Sequence, residues 1–555
     1  MCSQLRQLWV KEDGPDPSYV DLFDDFRSTL IFRENILEQI NVDEVQKDDN
    51  LAEQYRQCGN RCTDKNDFKA AIEHYNKSVC FAENQMVASF AFANRAFCFL
   101  KLEMYDECLS DIEIAVRAKY PTNLMPKLVR RRETCLNRMA SSKRTPFEPQ
   151  LSFPADDRAR SMANVLALRR NQQFGRHLVA KCDIEEDQIV IIEEALVTLV
   201  DDNNKYKRCS TCLKEYTSTI PCGNCTKVLF CRRCMNSVDL HQYECSMKHL
   251  KLFVGRTGNV TANCVKFVIR TIVRALEVFS SADSLMEFDE LLRKDHNANH
   301  LILSDGSFEA VLGIFLTLHH LVPYETGQIK IMIISCIVYD SIINHSELKT
   351  HFLTQKLQRF LMHLVTQLTS MFTANNILLQ DWSDKLTDLI DHNSMETFGV
   401  GLFNISSYIN HACMPNVVRL TVTGHTVIKT LRPIKQGEQL FVRYAIDPNW
   451  TTSQRQQQLL NICGFQCTCK MCLSNGPLKS EVSVITEELA DLTVELSPLI
   501  LLRVKDTHRW TALKEKLFQF TKKYENLPVS KSIILSYEYI KMILMRELSS
   551  CAAQF

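Results

Sequence analysis

The sequence has no excess of charge of either sign, little glycine and proline, and no long apolar run. Lysine plus arginine and aspartate plus glutamate number 65 each among 555 residues, a balance that argues against a general nucleic-acid or membrane-surface binder. The longest apolar run, Ile331–Tyr339, is far shorter than the roughly 18 residues a membrane span needs. The first residues contain no apolar stretch of the signal-peptide type. We therefore expect a protein of the cytoplasm and nucleus, with no membrane partner and no strong nucleic-acid signal.

A repeat of two-helix units occupies residues 51–140. The small residues Gly59 and Ala96 stand in the two first helices, and Ala71 and Cys108 stand at the same interval in the two second helices. The two copies are 37 residues apart, which fits a 34-residue unit with a short insertion. Small residues at helix crossings and a period of this kind are typical of tetratricopeptide repeats (TPR). We therefore expect an α-helical TPR arm over this range, preceded by an N-terminal helical extension at 1–50.

Beyond the arm, the hydrophobic pattern changes several times between strand and helix periods. The predicted segments are a linker at 141–160, strands at 161–208, a cysteine finger at 209–245, a helical insert at 246–395, strands at 396–447, a second cysteine motif at 448–476 and C-terminal helices at 477–555. The sequence thus predicts an α+β multidomain protein. Its β-rich domain is interrupted by a finger and a helical insert.

The finger contains four closely spaced pairs of metal-ligand residues. These are Cys209 and Cys212, Cys222 and Cys225, Cys231 and Cys234, and His241 and Cys245. Structural zinc takes four tetrahedral cysteine or histidine ligands, so eight ligands predict two ions. Because every coordination position is filled, we expect the finger to stabilise the fold and to offer a docking surface rather than to catalyse a reaction.

The second cysteine motif predicts a third zinc ion. Cys467, Cys469 and Cys472 supply only three of the four ligands that a tetrahedral site needs. Cys413, in the segment Asn410–Asn416, is the best remaining candidate for the fourth.

Several of these segments resemble a known family. The sequence NHACMPN at 410–416 resembles the NHSCxPN signature of SET methyltransferases, Arg443–Tyr444 after GEQL resembles their catalytic tyrosine strand, and FGRHLVA at 174–180 resembles their opening segment. The CxCxxC motif is similar to their post-SET zinc motif. The finger resembles a MYND finger, in which the first and third pairs share one zinc and the second and fourth share the other. This order of motifs is that of the Smyd family, and in particular of its TPR-bearing members.

The resemblance implies an S-adenosylmethionine-dependent protein-lysine N-methyltransferase that acts on histone or non-histone proteins. It also implies a monomer. It implies that Tyr444 is the catalytic residue, placing its hydroxyl near the transferred methyl group. The implied cofactor-binding residues are Phe174, Gly175, Arg176, Asn410, His411, Tyr444 and Phe465.

The arm also resembles the TPR domains of co-chaperones, which bind the terminal carboxylates of chaperone tails through five polar residues. The matching residues here are Arg56, Asn60, Asn94, Lys127 and Arg131. Charge-assisted contacts make such a peptide clamp physically reasonable. The resemblance therefore implies a chaperone C-terminal tail as a partner of the TPR groove, although solvated basic residues are also common in such repeats.

An alternative function is a catalytically weak scaffold or transcriptional co-regulator that binds proteins through its TPR and MYND surfaces. Asn410, His411 and Tyr444 favour the enzyme. His177, which replaces a glycine of the opening segment, and Cys463, which stands where Smyd enzymes often have a tyrosine, favour the scaffold.

Overall fold

The structure is a computed structural model of the chain. The residues that it describes are 46–141, 149–246, 259–294, 312, 325–375, 377–382, 395–422, 425–444, 446–474, 483–501, 504, 506–527 and 529–552. The extension predicted at 1–50 therefore lies almost entirely outside the described residues, as does part of the predicted linker.

The N-terminal arm is a row of antiparallel helices in which each helix packs against the next. The helices are α1 (Asp49–Asp64), α2 (Phe68–Phe81), α3 (Gln85–Lys101), α4 (Tyr105–Arg117) and α5 (Met125–Ser141). The side chain of Asp48 caps α1 by accepting hydrogen bonds from two backbone N–H groups of its first turn. A Cβ atom at Gly59 would lie 2.5 Å from the ring of Tyr75. The small residue predicted at this crossing is thus what lets α1 and α2 approach each other.

The β-rich domain is assembled from two distant parts of the chain. The first part contains β1 (Leu166–Asn171), β2 (Gly175–Ala180), β3 (Ile189–Glu194) and β4 (Val197–Val200). The second contains β8 (Met395–Leu402), β9 (Asn410–His411), β10 (Val417–Val422), β11 (His425–Thr430) and β12 (Phe441–Val442).

Strand pairing joins these two parts across the insertion. Strand β11 lies between β10 and β3, and it pairs with both in antiparallel fashion. Strand β4 pairs with β8 in the same way, while β9 and β12 form a short parallel pair. The strands on the two sides of the insertion therefore pair with one another.

The insertion consists of the finger and a helical cluster. The finger contains β5 (Thr219–Pro221), β6 (Leu229–Cys231) and α6 (Val238–Ser246). The cluster contains α7 (Asn259–Phe279), α8 (Ala282–Lys294), α9 (Glu325–His345) and α10 (Gln355–Asn375).

The predicted helical insert differs from the structure near its end, where residues Ile377–Trp382 form strand β7. This strand pairs with β8. Within it, Ile377 and Leu379 are buried whereas Leu378 is 42% exposed. Such alternation is the period of a strand, but three consecutive apolar residues after a long helix do not reveal it.

The C-terminal part packs helices against the sheet. Its elements are α11 (Thr452–Cys463), α12 (Lys470–Leu473), α13 (Ser483–Leu501), α14 (Thr507–Lys523) and α15 (Lys531–Ala552). The last three form an apolar core with β10 and β11. In the described part of the chain, no helix has both the length and the apolar character that crossing a membrane requires.

A fully buried ion pair joins the arm to the finger. Arg95 of α3 donates two hydrogen bonds of 2.7 Å to the carboxylate of Asp111 in α4, and both side chains have no solvent exposure. The same guanidinium donates to the backbone carbonyl of Thr219 in β5 at 2.8 Å. The hydroxyl of Ser218 donates to Asp111 at 2.5 Å. The two charges are therefore shared between the arm and the finger, and neither faces water.

We expect Arg95→Met to loosen the arm and the finger together. The substitution leaves Asp111 buried without its cation, and breaking a buried pair in this way costs roughly 3–5 kcal/mol. Hydrogen–deuterium exchange should therefore become faster in α3, in α4 and in β5, with lower opening free energies on both sides of the contact.

Arg117→Met is the matched control, because Arg117 belongs to the same arm and its side chain is 76% exposed in a pair with Glu113. A surface pair of this kind contributes about 0–1 kcal/mol. Equal exchange in the two variants would contradict the importance of the buried pair.

Candidate functional site

The parallel pairing of β9 with β12 brings the segment Asn410–Asn416 against Tyr444. Phe441 pairs with Asn410 and Val442 with His411. Two residues after β12, the backbone N–H of Tyr444 donates a 3.0 Å hydrogen bond to Nδ1 of His411. Burial lowers the pKa of His411 to about 4, so the ring is neutral near pH 7 and can accept this bond. The two motifs thus form one site.

Tyr444 is held by its hydroxyl as well as by its backbone. The hydroxyl donates to the backbone carbonyl of Ile409 at 3.2 Å. Burial raises the pKa of Tyr444 to about 12. The phenol therefore remains protonated at neutral pH and keeps its capacity to donate a hydrogen bond.

Asn410 connects this site to the opening segment. Its side-chain amide donates to the backbone carbonyl of Phe174 at 3.1 Å, and the ring of Phe174 meets that of Phe441 edge to face at 5.9 Å. Gly175 follows with a φ of +61°, and a Cβ atom there would have nothing within 4 Å. The need for glycine here therefore comes from the left-handed backbone rather than from a crowded neighbour.

Arg176 and His177 occupy different environments within β2. The half-buried guanidinium of Arg176 lies over the ring of Tyr408 at 5.2 Å, and burial lowers the pKa of Arg176. His177 is buried, with Nδ1 3.0 Å from the carbonyl of Gly175. His177 thus packs into the domain at the place where the family has a second glycine.

An aromatic wall closes one side of the site. The ring of Phe465 lies 6.5 Å from Tyr444 and 6.2 Å from His411. Cys463 lies at the end of α11 near Tyr444, and burial raises the pKa of its thiol to about 11. Cys463 is therefore a neutral, apolar group at the position where Smyd enzymes often have a tyrosine.

The structure gathers the predicted metal ligands into three groups of four. Within each group, one ligand atom from every residue lies within 4.8 Å of the others. The groups are Cys209, Cys212, Cys231 and Cys234; Cys222, Cys225, His241 and Cys245; and Cys413, Cys467, Cys469 and Cys472. The grouping within the finger and the inclusion of Cys413 agree with the sequence analysis.

The donor sets fit structural zinc. Each group offers four thiolate or imidazole donors and is largely buried. In the second group, Nδ1 of His241 lies 3.5 Å from the carboxylate of Glu244, which in turn pairs with Arg270 of α7 at 2.6 Å. A carboxylate on the outer nitrogen orients an imidazole ligand, so the helical insert supports this group from outside.

The five predicted clamp residues do not all face the same surroundings. Asn94 donates to Asn60 at 2.8 Å, so these two lie side by side. Arg56 pairs with Glu53 at 2.6 Å, and Arg131 donates to the carbonyl of Ala93. Lys127 is exposed on the same helix as Arg131.

The sequence analysis missed two charged residues beside the site, Glu193 of β3 and Arg419 of β10. Glu193 is only 6% exposed, and its carboxylate accepts hydrogen bonds from the backbone N–H groups of Asn404, Ile405 and Ser406. The sequence does contain an indication of this burial, because strand alternation places Glu193 on the same face as the buried Ile191. An acidic residue on a buried face needs a partner and so marks a position of interest.

Comparison with known proteins matches this chain to SET-domain proteins. The SET domain family model matches residues 175–445. The protein-lysine N-methyltransferase SMYD4 of Danio rerio is 22% identical over 80% of this chain and 68% of its own length. SMYD4 of Mus musculus is 24% identical over 77% of this chain and 67% of its own length.

Two further matches are more distant. A SET and MYND domain-containing protein of Dictyostelium discoideum is 23% identical over 55% of this chain and 59% of its own length. The crystal structure of the SET domain of LSMT bound to lysine and AdoHcy aligns with 70% of this chain and 86% of its own, at 10% identity and a TM-score of 0.24. A TM-score of this size does not establish a shared fold.

Proposed function

We propose that this chain is a member of the SMYD family of SET-domain proteins and an S-adenosylmethionine-dependent protein-lysine N-methyltransferase. The observation that carries the proposal is the contact of Tyr444 with His411 and with the carbonyl of Ile409. This contact puts a protonated phenol beside the Asn-His segment that matches the family signature. The relatives of Danio rerio and Mus musculus are named as enzymes of this class.

The residues around Asn410 fit the cofactor. Arg176 is a half-buried cation, and its described contacts include no carboxylate. A cationic guanidinium in this setting suits the carboxylate of the cofactor's methionine part. Asn410 and Phe174 would contact the cofactor beside Gly175, and Phe465 would lie against its adenine. When bound, the cofactor supplies an electrophilic methyl group on its sulfonium.

The chain's own residues would prepare the acceptor amine. Free lysine has a pKa near 10.4 and is charged at neutral pH. If the lysine enters beside the rings of Tyr444 and Phe465, these apolar surroundings would disfavour the ammonium form and so favour the nucleophilic amine. The hydroxyl of Tyr444, fixed by its bond to Ile409, would align that amine for transfer.

We expect the purified protein to bind S-adenosylmethionine, as measured by isothermal titration calorimetry. The Asn410→Ala, His411→Ala double variant should lose this binding, because it removes both the side chain that holds Phe174 and the one that holds Tyr444. Tyr444→Phe should still bind the cofactor but transfer methyl groups to protein roughly 100-fold more slowly.

Asn461→Ala is a matched control, since Asn461 is exposed on α11 and lies in the same half of the chain. All variants should be compared at equal zinc content. If the wild-type protein, folded and loaded with zinc, does not bind the cofactor, the enzyme proposal is wrong and the scaffold becomes the better account.

We further propose that the three groups of ligands hold three zinc ions, two in a MYND finger and one in a post-SET site. The groups and their donor chemistry support this count. Elemental analysis should then find about three zinc ions per chain. Cys222→Ser should lose about one of them, because three ligands leave the second group incomplete.

Cys182→Ser controls for the loss of a thiol, because Cys182 is exposed and outside the three groups. Its zinc content should equal that of the wild type. Loss of the same amount of zinc in both variants would contradict the assignment.

We also propose that the helical arm is a TPR domain that binds the acidic C-terminal tail of a chaperone. The adjacent amides of Asn60 and Asn94 support this role. In this contact Asn94 uses its Nδ2 and Asn60 its Oδ1, which also accepts from the hydroxyl of Tyr75. Each side-chain amide has a second polar atom that could meet a peptide.

Asn94→Ala should abolish binding of a chaperone C-terminal acidic peptide in a fluorescence anisotropy titration. Asn123→Ala is the control, since Asn123 lies at an exposed turn of the arm, and it should leave the affinity unchanged. Unchanged affinity in Asn94→Ala would contradict the clamp.

A further inference from the structure

The carboxylate of Glu193 holds the start of a short turn that leads into the candidate site. This turn is the 3-10 helix Ile405–Tyr408. The backbone N–H groups of Asn404 and Ile405 both donate to Oε1 at 2.7 Å. The backbone N–H and the hydroxyl of Ser406 donate to Oε2 at 2.8 and 2.7 Å. Four donors thus converge on one buried carboxylate.

Arg419 holds the same turn through a carbonyl group. Its Nη2 donates to the backbone carbonyl of Ser406 at 3.2 Å. Burial lowers the pKa of Arg419, whereas Tyr444 and Glu193 act in the opposite direction. Glu193 and Arg419 lie in the same sheet, on the two strands that flank β11. The turn is therefore held by the carboxyl group of Glu193 at its N–H groups and by the guanidinium of Arg419 at a carbonyl.

The turn bears, or immediately precedes, most of the groups that the site uses. Its last residue, Tyr408, supports the guanidinium of Arg176. The next carbonyl, that of Ile409, accepts the hydroxyl of Tyr444, and Asn410 follows. A displacement of the turn would thus move two sets of groups together: the residues proposed to bind the cofactor and the hydroxyl of Tyr444 that is proposed to align the lysine amine.

Stability alone is a weak reason for a carboxylate at the buried position of Glu193. Taking a charged group out of water has a large free-energy cost, which its hydrogen bonds must first offset. A carboxylate with four donors does, however, fix the position of each donor, since leaving any of them unpaired in the interior costs about 1–3 kcal/mol. The arrangement is suited to positioning a backbone segment with little freedom.

We propose that Glu193 and Arg419 are positioning residues for methyl transfer. They fix the position of the turn Ile405–Tyr408, and the turn in turn fixes the positions of Arg176, of Asn410 and of the hydrogen bond between Ile409 and Tyr444. The inference rests on the proposed function, because the affinity for S-adenosylmethionine is its readout. Neither residue contacts the reacting atoms in this role.

The test compares Glu193→Gln with Glu194→Gln. Glutamine has nearly the same shape as glutamate, but its NH₂ group would face backbone donors instead of accepting from them. Glu194 is the matched control, since it is the next residue of the same strand and is exposed. In calorimetry, Glu193→Gln should bind S-adenosylmethionine roughly 10- to 100-fold more weakly than the wild type, and Glu194→Gln should bind it equally well.

Ser406→Ala provides a second, milder variant in case Glu193→Gln does not fold. It deletes one hydroxyl donor and leaves the backbone bonds in place. It should weaken cofactor binding by about threefold or more. In both variants, hydrogen exchange should become faster in residues 404–411 and stay unchanged in the arm.

The outcomes separate this inference from the proposed function. Weaker cofactor binding in a folded Glu193→Gln or Ser406→Ala supports the positioning role. Lower thermal stability with unchanged affinity overturns it and leaves a purely structural anchor, while the enzyme proposal stands. Failure of the wild type and of Glu194→Gln to bind S-adenosylmethionine overturns both.

Discussion

The pairing of β3 with β11 and of β4 with β8 is the constraint on which the rest of the structure depends. These pairs join segments that are separated by the whole finger and helical insert. Closing so long a loop has an entropic cost, although that cost grows slowly with length. The insert offsets it directly, because Val197 and Leu199 of β4 and Val400 and Leu402 of β8 belong to its apolar core. The two ends of the insertion are thus held together by the insertion itself.

The same pairing creates the site. Once β11 lies between β3 and β10, Glu193 and Arg419 flank the turn Ile405–Tyr408 from neighbouring strands. The parallel contact of β9 with β12 then places Tyr444 against His411. The third group of candidate metal ligands also depends on this topology, since Cys413 follows β9 and lies beside the cysteines that come after α11. The candidate active site and its metal group are therefore consequences of one topology.

The sequence predicted the motifs well because their chemistry is local. Cysteine pairs at fixed spacing indicate zinc ligands whatever surrounds them, and Gly59 and Ala71 indicated close helix crossings through their size. The sequence did not reveal which residues meet across the insertion. The buried contacts of Arg95 with Thr219, and of Glu193 with Ser406, join distant segments. From the sequence alone, a charged residue of this kind is more simply read as part of a solvated surface.

The contact between the arm and the finger limits which surfaces of the finger are free to bind other proteins. In this structure part of the finger's surface is covered by the arm and is not open to a docking partner. Thr219 accepts a hydrogen bond from Arg95 of the arm, and Leu229 is buried in the arm's apolar core. Strand β5 ends directly before Cys222, a candidate ligand of the second group, and β6 ends at Cys231, a candidate ligand of the first. The arm therefore rests on the part of the finger that adjoins the candidate ligands of both groups, and Arg95 and Asp111 hold it there through Thr219 and Ser218.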